Sequence, residues 1–126
     1  MPLSRTGQLA YLHGMDLNAL SPKDRRSWQL NAAAIAHACS NWSTAKIVVT
    51  RNLDRMDREK RVSPTYLARC RDLVQQGPEV MKAAFLDVSD EGQLLRSIHP
   101  WAGLLPNTER FAILRETRRQ PEDESC

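Results

Sequence analysis

Apolar residues recur along this chain with the roughly 3.6-residue period of helices, in runs punctuated by serine, proline and glycine. The longest run spans Ser21 to Trp42. Within it Trp28, Ala32, Ile35 and Cys39 repeat at i, i+4, i+7 and i+11, while Asn31, Ala34, Ala38 and Trp42 form a second stripe at i, i+3, i+7 and i+11. Two faces of one helix therefore seek partners, and the small residues Ala32, Ala33, Ala34, Ala36 and Ala38 allow close approach. Ser21 can cap this helix, Pro22 can take the first helical position, where a missing N–H costs nothing, and Asp24 can reach back toward the cap. The expectation is a long central helix over about residues 22–41, with shorter helices packed around it.

The remaining runs are shorter. Ser4 to His13 reads as a first helix closed by Gly14, and Leu17 and Leu20 as an apolar lead-in to the long one. After Trp42, Ser43 is a cap candidate, and Ala45, Val49, Leu53 and Met56 share one helical face. A strand over Lys46–Thr50 is the competing reading, because β-branched residues cluster there; having no second strand in the chain, it would pair with another copy. Ser63-Pro64 starts a helix carrying Leu67, Cys70 and Val74, flanked by Tyr66 and Leu73. Gly77-Pro78 ends that helix and opens the next, with Met81, Ala84, Phe85 and Val88. Ser89 begins a segment burying Leu94, Leu95 and Ile98. The stretch His99–Pro106 has two prolines and a glycine but is apolar enough to pack over an open end of the bundle. Asn107 or Thr108 caps a last helix through Arg118, burying Phe111 and Leu114. The fold class expected is all-α: one compact bundle of five to seven helices over residues 1–119, followed by a disordered acidic tail, residues 120–126.

Charge adds an asymmetry. Through Gln76 there are 12 basic residues against 6 acidic, and from Gly77 onward 6 against 9. The net charge is +3, and a basic first half suits nucleic acid or an acidic protein partner. In the Arg51–Arg61 segment, Asp54 with Arg58, Arg55 with Glu59 and Asp57 with Arg61 are spaced as i, i+4 ion pairs.

Candidate chemistry is sparse. Cys39, Cys70 and Cys126 are odd in number and widely spaced, which points to reduced thiols in a cytoplasm rather than disulfides or zinc. His13, His37 and His99 fall in no ligand pattern, and no phosphate-cradling or nucleophile-elbow motif occurs. No enzyme, metal or cofactor is expected. The longest apolar run, Ile47-Val48-Val49, is too short for a membrane span, and the first residues lack a secretory apolar region.

Two binding functions follow. The leading one is a small nucleic-acid-associated, regulatory protein, favouring DNA over RNA, that contacts phosphates through Lys23, Arg25, Arg26, Lys46, Arg51, Arg55, Arg58 and Arg61. A helix-turn-helix fits poorly, because the first helix is about twice the length that motif uses. The second is an adaptor or inhibitor that masks another protein through a surface anchored on Trp42 or Trp101, with a homodimer as an optional form.

Overall fold

The computed structural model describes Leu17 and residues 20–118. The helix expected over residues 4–13, including His13, and the tail with Cys126 lie outside the described residues. Within them the chain is all-helical: α1 (Pro22–Ser40), α2 (Trp42–Arg58), α3 (Pro64–Gln76), α4 (Pro78–Leu86), α5 (Asp90–Ile98) and α6 (Asn107–Arg118). Lys46–Thr50 lies inside α2, so the strand alternative falls, and with it strand addition as a route to a dimer.

Local chemistry accounts for most helix starts. Ser21 Oγ accepts from the Asp24 N–H at 3.2 Å, Ser63 Oγ from Tyr66 at 3.5 Å and Ser89 Oγ from Gly92 at 3.2 Å. Proline occupies the first turn of α1, α3 and α4. Gly77, at φ +108°, ends α3 and leads into α4 in a conformation open to glycine alone. One start differs from expectation. Ser43 caps nothing; α2 begins at Trp42, and a single residue, Asn41, joins it to α1 without a side-chain cap.

The helix α1 packs against α2, α4, α5 and α6. Ala32, Ala34 and Ala38 are fully buried there, and the absence of bulk lets the neighbouring backbones close in. The core adds Trp28 and Ile35 from α1, and Ala45, Val49, Leu53 and Met56 from α2. Leu67, Cys70 and Leu73 come from α3, and Met81, Phe85 and Leu86 from α4. Leu17 and Leu20 pack against this cluster, as the lead-in requires.

The last third departs from its periodicity. Leu94 is 46% exposed and Arg96 only 2%, the reverse of what their chemistry suggests. The cause is the end of α4, whose final carbonyls have no intrahelical donors. Trp28 Nε1–H donates to Leu86 O at 2.9 Å, while Arg96 Nη1 donates to Phe85 O at 2.8 Å and to Asp87 O. Burying the guanidinium is the cost of satisfying them, and it requires α5 to lie close. Gly92 allows this: a Cβ there would stand 2.0 Å from Asp87 O. Phe111, expected inside, is 57% exposed on α6.

Gly92→Ala should therefore lower stability by about 1–3 kcal/mol, through displacement of α5 from the α4 terminus. Urea denaturation measures it; an unchanged midpoint would mean the close approach is dispensable.

Candidate functional site

A cavity of about 510 Å³ lies between α1, the end of α5, the following loop and the start of α6. Its wall includes Lys23, Arg26, Ser27, Leu30 and Asn31 from α1, and Arg96, Ser97 and His99. Trp101, Ala102, Gly103 and Leu105 of the loop, then Asn107 and Arg110, complete it. Four of these side chains are basic, and none of the described residues lining the cavity carries a carboxylate.

The loop is rigidly placed. His99 ends α5 in the left-handed region at φ 50°, and Gly103 turns the chain again at φ +91°. Asn52, 5% exposed on α2, fastens the bend: its Nδ2 donates to Pro100 O at 2.9 Å and to Ala102 O at 3.0 Å. Trp101 is thereby driven into the core at 1% exposure, its ring edge-on to Phe85 with centroids 5.0 Å apart. As a buried core residue it offers no anchor to a partner. Trp42 is half-buried and also rests against the core.

Buried side-chain polar atoms without a hydrogen-bond partner among the described residues are Asn31 Oδ1, Arg96 Nη2 and Trp101 Nε1. The three residues that carry them line the cavity. Burial pulls the Arg96 guanidinium below its ordinary pKa, with Asp24 and Asp87 opposing. Burial, and then the charge of Arg110, does the same to the His99 imidazole.

The predicted phosphate-contacting residues divide into groups. Lys23 and Arg26 reach the cavity, and Arg26 Nε donates to Thr117 Oγ1 on α6 at 3.3 Å. Arg25 binds the carbonyls of Leu17 and Leu20 at 3.3 and 3.4 Å and so serves the lead-in segment. Lys46 and Arg51 border a shallow groove on the outside of α2 with Ile47, Thr50 and Asp54. Arg55 is exposed and donates to Asn52 Oδ1 at 3.3 Å, Arg58 is exposed, and Arg61 pairs with Glu59 at 2.9 Å.

The expected intrahelical ion pairs are replaced by others. Asp54 and Asp57 turn to Arg71 on α3, at 2.9 and 4.0 Å, because the neighbouring helix brings a guanidinium between them. Arg51, Arg55 and Arg58 are left without a carboxylate within 4.0 Å among the described residues.

The cysteines behave as apolar residues. Burial pushes the Cys70 thiol up to about 11 against the opposing charges of Arg69 and Arg71, so it stays protonated and a poor nucleophile. Burial raises the half-buried Cys39 as well. His37 faces Glu109 at 2.9 Å, tying the end of α1 to α6. Among the described residues no group of three His, Cys, Asp or Glu side chains is placed to hold a metal ion, and no helix is long and apolar enough to cross a membrane.

Sequence reasoning passed over Arg96, Asn52 and Arg110. Signals existed for two of them. Gly92 four residues before Arg96 marks a close helix approach, and Asn52 is a polar residue beside Leu53 on the inward side of α2. Comparisons with protein-family models, curated proteins and solved structures yield no match.

Because the folded chain disfavours the His99 proton, the unfolded chain takes it up first as pH falls. Stability should decline as pH drops from the ordinary histidine value of 6.5 toward the lower folded value, and level off below it for this group. His99→Asn, which tolerates the left-handed backbone, should flatten that part of the curve in denaturation at stepped pH.

Proposed function

We propose that this is a small non-enzymatic, nucleic-acid-associated protein that binds phosphates through the exposed basic face of α2 and acts as a regulator. The observation that carries the reading is the redirection of Asp54 and Asp57 to Arg71. It takes both acids away from Arg51, Arg55 and Arg58, which recur at i, i+4 and i+7. These arginines extend over about 10 Å of helix axis, enough to follow about three phosphates of one strand. Lys46 lies off this row, across the shallow groove that Arg51 also borders. Such contacts are independent of sequence and favour duplex DNA for its charge density. The free thiols Cys39 and Cys70 fit a reducing, cytoplasmic setting.

A protein-binding module, possessing an acidic partner or a second copy of itself, is the second reading. With Trp101 in the core, its anchor passes to Phe111, the exposed aromatic of α6.

Binding to random-sequence duplex DNA and to single-stranded RNA, titrated with salt, tests the first reading. Each of Arg51→Ala, Arg55→Ala and Arg58→Ala should lower the log–log salt slope by about 1, with stability held within about 0.5 kcal/mol. Absence of salt-sensitive binding to either polymer would sink it. Self-association that is lost in Phe111→Ser would favour the second reading instead.

A further inference from the structure

We infer that the cavity between α1, α5 and the residue 99–106 loop is a binding site for a small phosphate monoester that also carries a hydroxyl group. The proposal is separate from the polyanion reading, which uses the outer face of α2, and does not depend on it.

Three observations converge on this chemistry. The first is charge: Lys23, Arg26, Arg96 and Arg110 share a wall with no carboxylate among its described residues, although Asp24 and Asp87 act on Arg96 from outside it. Cations gathered in a concave, partly desolvated space repel one another, and a dianion among them relieves the repulsion. The start of α6 at the same wall adds the positive end of its dipole.

The second is the set of unsatisfied atoms. Buried polar atoms without partners are rare in folded proteins, yet all three found among the described residues sit on side chains that line this cavity, just behind its surface, where a small side-chain shift would bring them to a ligand. Arg96 Nη2 and Trp101 Nε1 are donors and require acceptors, such as phosphate oxygens. Asn31 Oδ1 is an acceptor. Its orientation is set because Asn31 Nδ2 donates to Ser27 O at 2.8 Å, and the flipped amide would place oxygen against oxygen. The partner of Oδ1 must therefore be a donor, which a phosphate dianion lacks and a hydroxyl supplies.

The third is size and stiffness. About 510 Å³ lies within the range of small-molecule sites, roughly 300–1,000 Å³, and exceeds what inorganic phosphate alone fills. Arg96 is already immobilised by the end of α4, so little ordering is needed when a ligand arrives.

Isothermal titration of the full chain with ribose 5-phosphate, against ribose at equal ionic strength, tests the proposal. Expected are saturable binding of the phosphate ester alone and a loss of about tenfold or more in affinity in Arg110→Gln and in Lys23→Gln, both of which change exposed residues. The Arg51→Ala/Arg55→Ala/Arg58→Ala variant should bind it as the parent does. Absent binding up to about 10 mM, equal binding of ribose, or unchanged affinity in both cavity variants overturns the proposal. Loss of nucleic-acid binding with ribose 5-phosphate binding retained would remove only the reading placed on α2.

Discussion

The structure turns on the end of α4. A helix that stops inside a protein leaves carbonyls that water cannot reach, and each must find a donor or carry a desolvation penalty. Here Trp28 from α1 and Arg96 from α5 supply the donors, so three helices meet at Phe85, Leu86 and Asp87. The arrangement is demanding. It buries a guanidinium and needs a glycine at position 92 to let α5 approach. It also determines what lies at the cavity wall, since Arg96 has one terminal nitrogen engaged with α4 and the other, Nη2, without a partner among the described residues.

A side-chain amide organises the loop that follows α5. Asn52 gives both hydrogens of its Nδ2 to carbonyls of the loop and receives Arg55 on its Oδ1. The loop that frames the cavity and the arginine face of α2 are thus held by the same side chain. The distribution of charge follows from packing in the same way: α3 brings Arg71 beside Asp54 and Asp57, and the acids that an isolated α2 would spend on its own arginines are spent there. Exposed pairs of this kind add little to stability, about 0–1 kcal/mol each. What they alter is the potential of the surface they leave.

Much of the all-helical architecture was legible from local chemistry. Ser21-Pro22, Ser63-Pro64 and Gly77-Pro78 announce their boundaries because caps, proline and glycine act within a few residues. The stripe Ala45, Val49, Leu53 and Met56 is long enough for its period to outweigh the β-branched residues around Lys46–Thr50. On the nine-residue α5 the pattern is too short to fix a face, and the need of distant carbonyls for a donor turns Arg96 inward and Leu94 outward. The packing of the 99–106 stretch onto the bundle was legible from its apolar residues, but what holds it was not, since only the folded loop shows that Asn52 pins the carbonyls on either side of Trp101. The cavity was invisible for the same reason: its residues come from two distant stretches of chain, 23–31 and 96–110, and no spacing rule connects them.

Asn41 has a consequence for tolerance to changes in chain length. With a single residue between α1 and α2, the register of one helix dictates the azimuth of the other. One inserted residue would rotate α2 by about 100° about its axis, swinging Val49 and Leu53 toward solvent and carrying Asn52 away from the loop it fastens. The joint is a place where this fold admits substitution but neither insertion nor deletion.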